Sequence, residues 1–223
     1  MEAISKPCSE RGESPDDGLY GHIAEDILVK GYSINPGALP AGLTGALIGH
    51  LAQMNAERFN PAGIGRELQH MHNRFVRKDE TCWITGESAA GSDWLAWAAG
   101  LQAFLNRRLL LGLFYFESHF ARYTPGAYYK RHLDAFRGET NRVLSIVVYL
   151  NTGWTADDGG ELVLYRDEVD RDGLRVSPIA GTVVVFLSED FPHEVLPARR
   201  DRFSIAGWYR VNQTTTARVD PPR

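Results

Sequence analysis

The feature that most constrains the fold is a series of short strand-like runs in the second half of the chain. From about residue 112 onward, apolar and β-branched residues come in short groups that turn-forming pairs such as Pro125-Gly126 and Asp172-Gly173 separate. The pattern predicts eight strands, at Leu113–Tyr123, Tyr128–Leu133, Arg142–Leu150, Glu161–Tyr165, Leu174–Val176, Thr182–Ser188, His193–Leu196 and Arg202–Val211. Strands of this length and spacing are typical of a barrel or jelly roll.

Helical periodicity dominates the first half of the chain. Apolar residues recur at three and four positions in three segments, and Ser92 is a predicted N-cap of the third helix. The residues of the predicted apolar faces are Ile23, Ile27 and Leu28, then Leu43, Leu47, Ile48, Leu51 and Met54, then Trp94, Leu95, Ala98, Leu101 and Leu105. We therefore predict an α+β, mainly β fold, with a double-stranded β-helix (jelly-roll) core that N-terminal helices support.

The predicted organisation is one domain with a tail at each end. Residues 1–18 are polar and predict a disordered tail, and residues 213–223 predict a second one. Between them we expect a helical region at 19–110 and the β core at 111–212. The run Val143–Leu150 is apolar on both faces, so we expect this strand to be covered on both sides.

Charge and composition exclude several classes of protein. The net charge is −4 and there is no long basic block, which argues against nucleic acid or a membrane surface as a partner. The longest apolar run, Leu109–Phe116, is too short to span a bilayer, and the polar N-terminus does not resemble a signal peptide. Two cysteines, Cys8 and Cys82, do not make a disulfide framework. We expect a soluble, cytoplasmic monomer.

A candidate metal site is formed by two histidines and one carboxylate. His132 and Asp134 are two residues apart, so on a strand their side chains would share one face. Chance alone places about 0.4 such pairs in a chain of this composition, so the pair is weak evidence by itself. His193 begins a later predicted strand. Two histidines and one carboxylate are the facial triad of non-haem Fe(II) sites, which leaves coordination positions open.

Arg202 opens the strand after the one that His193 begins, and Ser204 should face the same way. A guanidinium can bind a carboxylate through two hydrogen bonds, so this pair predicts a pocket for an organic acid. These residues also have simpler interpretations. His132 and Asp134 could form a hydrogen-bonded pair on the surface, His193 could be a buried core histidine, and Arg202 could belong to a surface ion pair. A zinc hydrolase is a further alternative, but its usual H-E-x-x-H helix is absent from the sequence. We interpret His70 and His72 as structural or solvated.

Several motifs, in the same order, resemble those of the 2-oxoglutarate/Fe(II)-dependent prolyl hydroxylases. The matching segments are Tyr123–Asp134, Arg142–Asn151, Gly159–Leu162, Pro192–Pro197 and Arg202–Trp208. An upstream run, Arg77–Ile84, is similar to a segment of the prolyl hydroxylases that act on hypoxia-inducible factor. The similarity covers roughly residues 70–212 and is greatest to bacterial enzymes of that type.

The resemblance assigns a role to particular residues of this sequence. It implies that His132, Asp134 and His193 bind iron, and that Arg202 pairs with the distal carboxylate of 2-oxoglutarate. The cosubstrate pocket would also contain Tyr149, which would donate its hydroxyl to that carboxylate, together with Tyr123, Ser204, Leu162 and Trp208. The implied cofactors are Fe(II), 2-oxoglutarate and O2, with ascorbate as a further one.

The resemblance also implies that the Arg77–Asp79 segment lies in a mobile loop over the substrate groove. We expect Asp79 to pair with Arg142 when this loop closes, and Trp83 to lie in the same substrate region. The alternative is an ordinary solvated charged loop, because exposed ion pairs contribute little stability.

The function that the resemblance implies is hydroxylation of a prolyl residue in a protein, as a prolyl 4-hydroxylase. For bacterial members of this type, it points to elongation factor Tu as a target. Two alternatives stay open. The first is an oxygenase of a free amino acid or another small molecule, which the charged Arg77–Ile84 loop disfavours. The second is a non-catalytic binding module, which the complete triad disfavours.

Overall fold

The computed structural model describes residues 16–62, 76–135 and 141–212. Within these ranges the chain forms helices early and strands late, which confirms the predicted fold class. The helices are α1 (Asp17–Lys30), α2 (Ala41–Gln53) and α3 (Ala89–Leu109). The strands are β1 (Tyr32–Asn35), β2 (Asn60–Pro61), β3 (Glu80–Trp83), β4 (Leu113–Tyr123), β5 (Tyr129–His132), β6 (Arg142–Tyr149), β7 (Leu162–Leu164), β8 (Leu174–Val176), β9 (Val183–Leu187), β10 (His193–Val195) and β11 (Arg202–Val211).

Two antiparallel sheets form the core. The larger sheet has the strand order β1-β9-β6-β11-β4-β3-β2, and the smaller one has the order β5-β10-β7-β8. One apolar cluster contains side chains from both sheets, such as Tyr149 and Phe186 of the larger and Leu162 and Val195 of the smaller. The two sheets therefore face each other across this cluster, as the predicted double-stranded β-helix requires.

The helices cover the other face of the larger sheet. Trp94, Leu101 and Leu105 of α3 are buried in a second apolar cluster, together with Leu144 and Ile146 of β6. Because β6 contributes alternate residues to both clusters, it is covered on both sides, as its apolar sequence predicted. Among the described residues, no helix is long and apolar enough to cross a bilayer.

The structure corrects two details of the predicted helices. Ser88 is the N-cap of α3, since its hydroxyl accepts a hydrogen bond from the backbone N–H of Gly91, whereas the predicted cap Ser92 lies inside the helix. Leu28 was predicted to face the core but is 74% exposed, because it lies one position beyond the buried stripe of Ile23 and Ile27.

Chain ends and short strands were the least predictable elements. Three residues of the predicted N-terminal tail belong to α1: Asp16 is its N-cap, and the helix includes Asp17 and Gly18. Residues 1–15, residues 213–223 and the His70-Met71-His72 motif lie outside the described residues. Strand β1 was not predicted. It follows Gly31, whose left-handed φ of 77° ends α1, and it pairs along β9. The domain boundaries stay a prediction.

Candidate active site

The structure brings His132, Asp134 and His193 together between two strands of the smaller sheet. His132 ends β5 and is the direct cross-strand partner of His193, which begins β10. Asp134 follows β5 by two residues, and its two oxygens lie 3.6 Å from the Nε2 atoms of His132 and His193, respectively. The potential ligand atoms of all three residues lie within 4.8 Å of one another. This arrangement can hold one metal ion.

Backbone carbonyls orient the two imidazole rings. The Nδ1 of His132 lies 2.8 Å from the carbonyl oxygen of Lys130, and the Nδ1 of His193 lies 3.1 Å from that of Phe191. A carbonyl oxygen can only accept, so each Nδ1 carries the hydrogen and each Nε2 keeps its lone pair. Both lone pairs are therefore available to a metal on the side where Asp134 lies.

The charge states of these residues suit a cation. Burial, and then repulsion by His132, lowers the pKa of His193 to about 4, so this ring is neutral at pH 7. Burial opposes ionisation of Asp134, but the interactions with His193 and His132 hold the pKa of its carboxyl well below the usual range. One carboxylate and two imidazoles form the donor set that non-haem Fe(II) sites use.

Arg202 lies at the start of β11 and is only 1% exposed. Its Nε donates to the carbonyl of Gly160 at 2.8 Å, and its Nη1 donates to the hydroxyl of Ser204 at 3.3 Å. Gly160 has a φ of 73°, and a Cβ there would lie 3.2 Å from the Arg202 Cδ, so a glycine permits this close approach. Within the described residues, no aspartate or glutamate forms an ion pair with Arg202. A buried cation in this state is a natural site for an organic anion.

Tyrosine side chains form the surroundings of Arg202. Its guanidinium carbon lies 4.9 Å from the ring centroid of Tyr123 and 5.1 Å from that of Tyr149. The hydroxyl of Tyr149 is buried and has no hydrogen-bond partner among the residues that the structure describes. Burial raises its pKa to about 12, so it is a neutral donor in need of an acceptor. Leu162 packs in the same apolar cluster as both rings.

Arg202 and His193 both lie against the apolar cluster between the two sheets. Tyr123, Tyr149 and Phe186 belong to this cluster, and the ring of Phe186 makes an edge contact with His193 at 4.8 Å. Arg202 touches the cluster at Tyr123 and Tyr149. A single molecule with an acid group at each end could therefore meet both the metal site and the guanidinium.

The Arg77–Asp79 segment is paired and largely buried in this structure, which excludes the solvated charged loop that was the alternative prediction. Arg77 forms a β-bridge with Tyr129, and β3, which follows, pairs with β4. Asp79 is 2% exposed, and its carboxylate accepts two hydrogen bonds from Arg77, at 2.6 and 2.7 Å. The guanidinium of Arg77 also lies 4.3 Å from the ring centroid of Tyr129, which stacks on His132.

The predicted ion pair between Asp79 and Arg142 is not formed in this structure. Asp79 is paired with Arg77, while Arg142 donates to Glu117 at 3.1 Å and stacks on Trp208 at 3.8 Å. Two nearer partners therefore satisfy the charges that we expected to pair with each other. Arg142 also reaches the backbone carbonyl of Asp134, at 3.5 Å.

Two tryptophans pack against His119 on β4. Trp208 is almost buried, and Trp83 is 55% exposed. His119 lies between them, with its ring centroid 5.2 Å from Trp83 and 5.5 Å from Trp208. The exposed face of Trp83 is available to a large substrate.

Sequence reasoning missed three residues near the site. His119 and Glu117 lie on β4 two and four residues before Ala121, so they share a face with Tyr123, and period-two alternation could have found them. Ser145 lies on β6, and its hydroxyl donates to Asp134 at 2.7 Å. A polar residue in an apolar strand was the available signal for it.

Comparison with known proteins agrees with this chemistry. The family model described as the 2OG-Fe(II) oxygenase superfamily matches residues 118–210. The structure resembles a crystal structure of a prolyl-4-hydroxylase from Pseudomonas putida, with 41% sequence identity, a TM-score of 0.77 and coverage of 86% of this chain and 99% of that one. The chain belongs to the 2OG-Fe(II) oxygenase superfamily.

Two curated relatives match over shorter stretches. A hypoxia-inducible factor prolyl hydroxylase from Caenorhabditis elegans is 37% identical over 86 residues, which are 38% of this chain and 12% of that protein. The human prolyl hydroxylase EGLN3 is 27% identical over 147 residues, which are 61% of this chain and 59% of that protein. The matched part of this chain thus spans less than two thirds of either relative.

Members of this oxygenase superfamily use Fe(II) and 2-oxoglutarate, and the residues of this chain fit both groups. The donor set of His132, Asp134 and His193 fits a ferrous ion. The buried Arg202 and the unpartnered hydroxyl of Tyr149 fit the distal carboxylate of a 2-oxo diacid.

Proposed function

We propose that this chain is a 2-oxoglutarate- and Fe(II)-dependent prolyl 4-hydroxylase that modifies a prolyl residue in a protein. The observation that carries the proposal is the pairing of a two-histidine, one-carboxylate site with a buried arginine that has no acidic partner among the described residues. The similarity to the Pseudomonas putida prolyl-4-hydroxylase, across 99% of that chain, supports the choice of a prolyl substrate.

The residues divide the task between binding and exclusion of water. Bound iron and 2-oxoglutarate supply the oxidising chemistry, while the protein supplies geometry and electrostatics. His132, Asp134 and His193 hold the metal. The Nη atoms of Arg202 and the hydroxyl of Tyr149 bind the distal carboxylate, and Ser204 keeps the guanidinium in place.

Apolar and aromatic side chains complete the pocket. Leu162 and Tyr123 form its buried wall and exclude water from the bound acid. Trp208 lines the side on which the prolyl ring would enter, with Arg142 stacked behind it. We propose that Arg77 and Asp79 form the rim of the substrate groove, in which Trp83 offers an exposed aromatic surface to a polypeptide.

A protein substrate accords with the relatives, because the Caenorhabditis elegans protein is named for its action on hypoxia-inducible factor. For this chain we propose elongation factor Tu as the first target to test. A translation factor is cytoplasmic, so the proposal places this enzyme in the cytoplasm, where it would act as a monomer with ascorbate as the reductant.

The experiment measures succinate release and oxygen insertion together. The purified chain is given Fe(II), ascorbate and 2-oxoglutarate, with elongation factor Tu, a proline-containing peptide from it, or the same peptide with alanine in place of proline. We expect succinate release that depends on proline, and a mass gain of one oxygen atom on that residue. Coupling only to free proline would favour the small-molecule alternative. No turnover with any substrate would refute the enzymatic proposal.

A further inference from the structure

Two buried serine hydroxyls lie behind the carboxylate of Asp134. Ser145 on β6 donates to the Asp134 Oδ2 at 2.7 Å, and its oxygen lies 2.9 Å from the hydroxyl oxygen of Ser188, which follows β9. We propose that Ser145, supported by Ser188, is a positioning residue that fixes the carboxylate of Asp134 in its metal-binding orientation. The inference rests on the metal site of the proposed function.

The direction of the hydrogen bonds follows from the acceptor. An ionised carboxylate can only accept, so the Ser145 hydroxyl must use its single hydrogen on Asp134. The Ser145 oxygen can then only accept from Ser188, and Ser188 is the donor. The chain of donors therefore runs from Ser188 through Ser145 to Asp134. Its last bond ends on an anion and is of the stronger, charge-assisted kind.

Asp134 needs such support more than the two histidines do. His132 and His193 lie in paired strands, and a backbone carbonyl holds each ring. Asp134 lies after the end of β5, outside any ladder, so the sheet does not fix its side chain. The bond from Ser145 restricts rotation of the carboxylate and leaves its remaining lone pairs toward the imidazoles. Partners of this kind commonly tune metal affinity.

The position of Ser145 in the sheet argues that its hydrogen bond with Asp134 is not incidental. Residue 145 interrupts an apolar strand and lies between Trp208 of β11 and Phe186 of β9. Burying a hydroxyl there costs free energy unless it is fully hydrogen-bonded. The cost is offset only because both hydroxyls and the carboxylate satisfy one another.

The chain contains a matched control in a second buried relay. Ser33 on β1 donates to Asp26 at 2.9 Å and accepts from Asn35 at 2.9 Å. Its cross-strand partner is Val185, which packs in the helix-side cluster on the opposite face of the sheet from Phe186. Ser33→Ala therefore removes the same kind of bond without touching the metal site.

The test measures binding of cobalt(II) to the metal-free protein by calorimetry, together with the visible absorption spectrum of the cobalt complex. We expect Ser145→Ala to weaken binding about 10- to 100-fold and to change the spectrum. Ser188→Ala should act in the same direction but less, Ser145→Thr should restore affinity, and Ser33→Ala should leave affinity and spectrum as in the unmodified chain.

Several outcomes would overturn the proposal. If Ser145→Ala is folded and binds cobalt within twofold of Ser33→Ala, with an unchanged spectrum, the contact has no positioning role. If Ser145→Ala does not fold, an unchanged affinity in Ser188→Ala has the same meaning. Failure of the unmodified chain to bind cobalt would overturn both the relay and the metal site. Cobalt binding that responds to Ser145, without prolyl hydroxylation, would support the relay and refute only the proposed function.

Discussion

Replacing Arg202 should separate cosubstrate binding from the stability of the fold. The side chain is 1% exposed, and its protein partners are the carbonyl of Gly160, the hydroxyl of Ser204 and two tyrosine rings. The guanidinium charge of Arg202 is thus shielded from water, and none of the described residues forms an ion pair with it. Arg202→Met keeps most of the volume and removes the charge.

The size of the effect follows from these contacts. Truncating one partner of a buried charge pair costs about 2–5 kcal/mol. A loss of this size corresponds to about a 30- to 5,000-fold rise in the dissociation constant for 2-oxoglutarate. The distal carboxylate is remote from the reacting atoms, so KM should rise much more than kcat falls. Removing a buried unpaired charge should leave the free energy of unfolding without cosubstrate unchanged or higher.

The assay compares 2-oxoglutarate with a five-carbon 2-oxo acid that lacks the distal carboxylate. In the unmodified chain the second acid should bind far more weakly, and in Arg202→Met the two should bind alike. Arg200→Ala is the control, because Arg200 is close in sequence but half exposed and pairs with Asp158. Equal weakening of both acids by Arg202→Met would show that the arginine acts only through the fold, and an unchanged KM would refute its assignment.

Three further predictions concern the metal ligands, the Arg77 segment and acid stability. His193→Ala should abolish measurable binding of Fe(II) in calorimetry, whereas the exposed His22→Ala should bind it normally. Asp79→Ala should lower the free energy of unfolding by about 3–5 kcal/mol in urea melts, since it leaves the mostly buried Arg77 without its carboxylate; a change below 1 kcal/mol would contradict this. Burial and, next, Arg77 lower the pKa of His119 from 6.5 to about 4, so the folded state binds fewer protons than the unfolded state between these values. His119 should therefore contribute about 3 kcal/mol to the fall in stability from pH 6.5 to pH 4, and His119→Met should lose that contribution in urea melts at the two pH values.

Much of the β core could be predicted from the sequence because turn residues mark its strands. All eight predicted strands occur, with no end shifted by more than one residue. The unpredicted β1 is a strand because of its tertiary pairing with β9. The cap of α3 was misplaced because Ser88 and Ser92 are both good candidates, and only the hydrogen bond to Gly91 distinguishes them.

Site residues were predictable where the residue type alone indicates a metal ligand. The structure brings His132, Asp134 and His193 together. They could be selected from the sequence because imidazoles and carboxylates are the common ligands of such metal sites. Ion-pair partners were harder to predict. Arg142 pairs with Glu117 of β4, and Asp79 pairs with Arg77, which is two residues away. These nearer partners take the place of the Asp79–Arg142 ion pair that the resemblance implied.

Strand register explains why the sequence alone could not place Ser145 against Asp134, although a serine in an apolar strand was visible in it. Its side chain faces the site only because β6 pairs with β11 in the register that sets residue 145 beside Trp208. A shift by one residue would turn Ser145 toward the helices and bring Leu144 or Ile146 to the carboxylate. That register is held by the two apolar clusters, since β6 must send Leu144 and Ile146 to one and Tyr149 to the other. The packing of both faces of β6 thus determines which hydroxyl reaches Asp134, and a substitution that loosened either cluster should weaken metal binding without changing any ligand.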